Sequence, residues 1–258
     1  MKKFLVTACF MMSLLVANAQ TTPADTVLST IKTTPNTDAQ VPKKWQSLDL
    51  SNRSNDHFMV QYGFDKWSGT NDSVNPQGFS RHFNIYFMLD KPFKTNPKYS
   101  VGIGAGIGSS NMFFKNTNID LKSLSTKLPF TRVDSVNHFK KYKLTTVFLE
   151  APVELRFNAN PANTNKGLKM ALGLKVGTLI NAHTKGKTLV DKSNNTLNTY
   201  ILKENSKRFF NSTRLAVTGR VGLGIVSLYG AYQVTALLKD GVGPVVRPYS
   251  IGLCISGL

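Results

Sequence analysis

Residues 99–110 read YSVGIGAGIGSS, and every second residue from Gly102 to Gly108 is glycine. Successive side chains of a strand point to opposite faces, so these glycines share one face and apolar residues such as Ile103 share the other. Glycine weakens a strand on its own. The pattern therefore predicts a strand with one crowded face, where glycines leave room for long side chains of other strands. The residues expected to form this small-residue wall are Gly102, Gly104, Gly106 and Gly108.

The same alternation occurs in other stretches and predicts eight strands in all. The other stretches are 56–64, 79–89, 144–157, 168–183, 214–224, 227–237 and 249–258. The connections after the first, third, fifth and seventh strands are long, and those between are short. Transmembrane barrels have long loops at one end and short turns at the other, and an even strand number suits them. The sequence thus predicts an all-β fold, an eight-stranded antiparallel up-and-down transmembrane β-barrel.

The polar face of the strands distinguishes a membrane barrel from a soluble one. A lipocalin-like barrel turns its apolar face inward, whereas a membrane barrel turns that face to lipid. Here the second face mixes glycines with isolated charges, which is typical of a crowded interior. The uncharged stretch 221–238 approaches the length of a membrane-spanning helix. Its three glycines and its β-branched and aromatic residues favour a hairpin near Gly224 instead.

Charged residues on the predicted interior face form a candidate site. Charges in a narrow lumen must pair or change their ionisation, so the pattern favours an ion-pair network that fills the barrel. A proton path, a gate or a catalytic centre is the alternative. The expected members are Glu150, Glu154, Arg156, Lys169, Lys175, His183, Arg214 and Arg220.

The N-terminus has the features of a secretory signal peptide. Residues 1–19 contain two early lysines, an apolar run and small residues that predict cleavage after Ala19. Residues 20–55 are rich in Thr, Pro, Asn and Ser, which predicts a flexible periplasmic leader. Residues 56–258 form the expected barrel. We expect the protein in the cell outer membrane with both termini in the periplasm.

No pattern in the sequence points to catalysis or to a cofactor. The histidines occur in no HExxH, GxSxG or Cys/His arrangement. The glycines at 102–108 lie inside a strand, not between a strand and a helix as a dinucleotide fingerprint requires. We expect no catalytic, cofactor-binding or metal site. A lipid- or peptide-modifying outer-membrane enzyme, using His183 with an interior carboxylate, is an alternative.

The chain is strongly basic, with a formal net charge of +18. Lysines and arginines concentrate in the long connections 111–143 and 185–211. Export makes nucleic acid an improbable partner, so the phosphates of lipopolysaccharide and other outer-membrane lipids are the expected anionic neighbours.

Four stretches carry a family resemblance: GFSRHFNIYFMLDKPFKTNPKYSVGIGAGIGSSNMFF at 78–114, VFLEAPVELRF at 147–157, KGLKMALGLKVGTLINAHTK at 166–185 and RPYSIGLCISGL at 247–258. They resemble the outer-membrane β-barrel domains of Bacteroidota that include PorT-like proteins. The resemblance covers roughly 56–258 and implies an eight-stranded barrel in the outer membrane. Within the family only the PorT branch is tied to protein secretion, and the family supplies no catalytic residues to transfer. We therefore expect a non-enzymatic membrane scaffold or interaction protein associated with an envelope or protein-secretion assembly. A narrow ion or small-solute channel is a further alternative.

Overall fold

The computed structural model describes residues 57–70, 74, 76 and 79–257. The expected signal peptide and leader, 1–19 and 20–55, lie outside the described residues. The described part of the chain forms strands and no long helix. The strands are β1 (Phe58–Ser68), β2 (Arg81–Pro92), β3 (Tyr99–Phe114), β4 (Thr117–Ile119), β5 (Phe130–Arg132), β6 (His138–Asn158), β7 (Leu168–Val190), β8 (Thr196–Asn205), β9 (Thr213–Leu223), β10 (Val226–Gln233) and β11 (Arg247–Ser256).

Eight of these strands close into a barrel. The ring runs β1, β2, β3, β6, β7, β9, β10 and β11, and every neighbouring pair is antiparallel. The ring closes between β11 and β1, from the pair Met59–Ser256 to the pair Ser68–Arg247. The prediction of an eight-stranded antiparallel barrel is confirmed.

The long connections contain more structure than the sequence pattern indicates. β8 pairs with the far end of β7, while β4 and β5 form a separate two-stranded sheet. β8 is exposed along almost its whole length. Because neither of its faces is buried, its sequence does not need the apolar alternation that marks the barrel strands. The short connections, 93–98, 159–167 and 224–225, all lie at the opposite end of the barrel.

The tightest of these turns excludes a helix at 221–238. Gly224 has a φ of +62°, a conformation that glycine adopts without strain. The turn joins β9 to β10, and Leu223 faces Val226 across it. Among the described residues, no helix is long and apolar enough to span a membrane.

The barrel is apolar on its outside. The outward side chains include Ile85, Ile103, Leu149, Leu172 and Leu253, and Leu172 is 69% exposed. Exposed large apolar side chains occur in every strand of the ring. We call this continuous outward band the apolar belt. A surface of this kind requires a nonpolar surrounding.

Two apolar clusters occupy the interior. A small one contains Met59, Tyr86, Met88, Tyr229 and Cys254. The larger one lies at the end that carries the long connections, where inward side chains of the strands pack against side chains of the connections. We call this larger cluster the cap; its members include Met112, Leu144, Phe148, Ile119, Leu121, Leu128, Phe209, Phe210, Leu237 and Leu238.

Candidate functional site

Glu150, on β6, is the centre of the first ion-pair group in the lumen. Its carboxylate lies 3.1 Å from Lys175 Nζ and 2.8 Å from Arg214 Nη1. The Tyr86 hydroxyl donates a 2.5 Å hydrogen bond to Glu150 Oε2 and accepts one of 3.1 Å from Lys175. The side chains of Glu150 and Lys175 are 0% and 2% exposed. One carboxylate therefore forms ion pairs with two cations, and it offsets the buried positive charge of both.

Glu154, two residues along the same strand, organises a second group. Its Oε2 accepts from Arg156 Nε at 2.9 Å and from Arg220 Nη2 at 3.1 Å. Arg156 also reaches Asp90 at 3.4 Å, and Arg220 donates to the Ser256 hydroxyl at 3.1 Å. Two carboxylates face two guanidinium groups, so this group is balanced in charge. Its members tie β2, β6, β9 and β11 together.

A third group centres on Asp65 and is absent from the sequence prediction. Asp65 Oδ1 lies 2.8 Å from His82 Nδ1 and accepts from the Ser250 hydroxyl at 2.6 Å. The Ser110 hydroxyl donates to the other carboxylate oxygen. The sequence pattern placed Asp65 in the first long connection. Extending the inward alternation by one step beyond Gly63 would have predicted that Asp65 points into the lumen.

The geometry of this third group differs from that of a nucleophilic triad. In a triad, the imidazole lies between the carboxylate and the hydroxyl and takes the hydroxyl proton. Here both Ser110 and Ser250 bond to Asp65. The His82 ring packs against the ring of Tyr229 in a T-shaped arrangement, with the two ring centroids 5.7 Å apart. Neither serine is therefore placed to pass a proton to His82.

The four glycines of β3 make room for two kinds of neighbour. A Cβ atom on Gly102 would lie 2.5 Å from Arg156 Nε, and one on Gly108 would lie 2.7 Å from Glu150 Oε2. These two glycines accommodate the ion-pair groups, as the sequence suggested.

Gly104 and Gly106 accommodate side chains of the adjacent strand instead. A Cβ on Gly104 would meet the sulfur of Met88, and one on Gly106 would lie 2.5 Å from Tyr86 Cδ1. The side chains of β2 thus lean across β3, a detail that alternation alone does not give.

His183 does not belong to the lumen charge group. The register between β6 and β7 shifts between Val147 and Phe148, which leaves one extra residue in β7. A bulge of this kind reverses which side chains point inward. Beyond the bulge Ala182 is therefore buried, whereas His183 lies half-buried on the outward side and contacts Asn181 Oδ1 at 2.8 Å.

The remaining expected members lie in the lumen. Lys169 is buried near the short connections and donates to Asn165 Oδ1 at 3.2 Å. Between the Glu150 group and the cap there is a cavity of about 10 Å³, lined in part by Trp67, Phe148 and Arg214. That volume is at the lower limit for one water molecule. Within the described residues, no group of three or more His, Cys, Asp or Glu side chains could hold a metal ion.

An apolar outside and a charged, filled inside are the features of a small outer-membrane barrel. The family model for the outer membrane protein beta-barrel domain matches residues 48–233. The chain belongs to this family. Membership of this family places the protein in the outer membrane, as the sequence predicted.

Comparison of this outer-membrane barrel with individual proteins shows only a distant structural similarity. Among solved structures, it is similar to Ail, the attachment invasion locus protein of Yersinia pestis. The identity is 11%, the match covers 77% of this chain and 94% of Ail, and the TM-score is 0.36. No curated protein matches the chain.

Proposed function

We propose that the protein is a non-enzymatic scaffold or interaction protein of the outer membrane, with a lumen that does not conduct. The observation that carries this proposal is the filled interior. Glu150 and Glu154 hold four cationic side chains across the lumen, and the cap packs against the strands above them. The interior of an eight-stranded barrel is just wide enough for side chains to fill.

The proposal includes an orientation and a class of partner. β1 begins, and β11 ends, at the end of the barrel with the short connections. Outer-membrane barrels place short turns in the periplasm, so we place both termini there, after cleavage of the signal peptide at Ala19. The long connections then face outward. The partners would be envelope or secretion proteins, in line with the PorT-like resemblance.

Planar-bilayer recording tests the closed lumen. Folded protein, verified by its heat-modifiable gel mobility, should give no steady unitary currents. A narrow ion or small-solute channel would give such currents in the wild type, and that result would overturn the filled-lumen argument.

Affinity purification from native outer membranes tests the interaction role. A tag inserted in the exposed turn at 192–194 leaves both termini free. We expect a reproducible, stoichiometric set of envelope proteins. Recovery of the barrel alone, after mild solubilisation that preserves a known envelope complex, would refute the scaffold role.

The enzyme alternative has a separate readout. Membranes with and without the protein should have the same lipid masses and acyl composition. A lipid change that disappears in His183→Ala would establish the enzyme and refute the proposal.

A further inference from the structure

Lysines form a row on the outward face where β6, β7 and β8 extend beyond the apolar belt. Lys143 lies opposite Lys185, and Lys185 lies opposite Lys203. Residues opposite each other share a face, with Cβ atoms about 5 Å apart. In the next row away from the belt, Lys141 lies opposite Lys187. Like charges in this arrangement are destabilising, so an anion bound from outside would stabilise the cluster.

Among the residues that the structure describes, the row has no carboxylate partner on its own face. Within the described part of the chain, Lys143, Lys185 and Lys203 form no ion pair with Asp or Glu. Glu204 follows Lys203 directly but lies opposite Thr184, which is buried on the inward face. Successive residues of a strand alternate between faces. The Glu204 carboxylate therefore belongs to the other side of the sheet.

A cavity of about 270 Å³ opens beside Lys143. It contains a second cation, Arg81, which lies opposite Asn111. Lys143 Nζ donates to Asn111 Oδ1 at 2.6 Å and lies 5.8 Å from the centre of the Phe113 ring. These contacts hold the ammonium group at the edge of the cavity. The rings of Tyr62 and Phe83 also line it.

The position of the row relative to the apolar belt identifies the ligand class. Leu149 and Ile180 are exposed on the same outward face, a few residues from Lys143 and Lys185 along their strands. A molecule bound here would have an anionic group at the lysines and an apolar portion along the belt. Phosphate oxygens are strong acceptors for ammonium and guanidinium groups, and basic side chains at a membrane surface attract anionic lipids.

We propose that Lys143, Lys185 and Lys203, with Arg81 at the neighbouring cavity, bind the phosphate groups of a phosphorylated lipid in the surrounding leaflet. The acyl chains of that lipid lie along the apolar belt below. This inference goes beyond the proposed function, because it concerns the outside of the barrel and holds whether or not the lumen conducts.

Lipid binding by the full chain in phosphatidylcholine nanodiscs tests the site. The discs contain a small fraction of bis-phosphorylated lipid A, or of the same lipid without phosphate, and native mass spectrometry counts the retained molecules. The test variant is K143Q/K185Q/K203Q. The matched control, K122Q/K127Q/K192Q, removes the same charge from exposed connections.

The triple variant should bind the phosphorylated lipid about 10–100-fold more weakly, since each lysine near a membrane surface contributes roughly a fivefold factor. The control should stay within about twofold, and K143R/K185R/K203R should retain binding because it retains the charge. Equal losses in test and control variants would overturn the proposal. So would equal retention of the lipid without phosphate. If inorganic phosphate displaces the lipid at an equal phosphate concentration, the site is a simple anion site and the lipid assignment is wrong.

Discussion

The substitution Glu150→Gln should destabilise the barrel far more than Lys175→Met, although the two residues form one ion pair. Gln keeps the shape of Glu and can still accept from Tyr86, so Glu150→Gln removes little besides the charge. It leaves Lys175 and Arg214 together in the lumen without their carboxylate. Lys175→Met leaves a neutral pair, because Arg214 Nη1 remains 2.8 Å from Glu150.

The structure sets the size of both effects. Removing one partner of a buried ion pair costs about 3–5 kcal/mol, because the other charge stays buried without compensation. For Glu150→Gln two such charges remain, so we expect a value at the upper end of that range. Lys175→Met gives up the 3.1 Å contact with Glu150 and a hydrogen bond to the Tyr86 hydroxyl, but it also removes the second cation from a group with one carboxylate. We therefore expect a net loss of about 1–2 kcal/mol, and the apolar replacement fills a similar volume.

Urea titration of the barrel folded into lipid vesicles measures both free energies of unfolding, with the heat-modifiable gel shift as the probe. The control Asp240→Asn makes the same chemical change at an exposed loop position and should change stability by less than about 0.5 kcal/mol. Equal losses for Glu150→Gln and Lys175→Met would refute the reasoning. A larger loss for Lys175→Met would do so more strongly.

Three further substitutions test other parts of the structure. Gly104→Leu should cost at least about 1–3 kcal/mol in the same titration, because the Phe87 carbonyl oxygen lies 2.5 Å from the added Cβ, whereas Ile103→Leu faces lipid and should be nearly neutral. Phe210→Ala should open the cap, which limited proteolysis of the long connections would detect as faster cleavage. The Asn116 amide donates to Asp134 and lowers the pKa of that carboxyl. Asn116→Ala should raise this pKa in a carbon-13 NMR titration.

The sign of the Asp134 effect follows from the lowered pKa. The contact with Asn116 favours the charged carboxylate, so its stabilising contribution is present above the ordinary pKa of an aspartate. The contribution is lost as the pH falls through the lowered folded-state pKa. An unchanged titration midpoint in Asn116→Ala would contradict the assigned cause.

Strand number, strand order and the inward charges were readable from the sequence because each depends on a two-residue period. In β6 and β7 the alternation places Glu150, Glu154, Arg156 and Lys175 on the glycine side, and the structure brings these side chains within 2.8–3.4 Å of their partners. The period is a local property, so no information about distant contacts was needed.

Other features depend on contacts that the period does not encode. The bulge beside Phe148 adds one residue to β7 and turns His183 outward; no residue type near it requires a bulge. The cap joins residues from all four long connections, whose sequences have no common period. Asp65 lies just beyond the expected end of the first strand. In the structure, β1 continues with the same alternation to Ser68 and so includes Asp65.

The inside-out polarity of this barrel makes strand register a condition for folding. A slip of one residue in β6 would turn Glu150 and Glu154 to lipid and bring Leu149 and Val153 into the lumen. Each carboxylate also binds cations from other strands, Glu150 from β7 and β9 and Glu154 from β9. The ion pairs therefore select one register among the strands, in place of an apolar core that could tolerate sliding. Since the lumen serves the fold in this way, the outward face and the long connections remain the surfaces available for recognition.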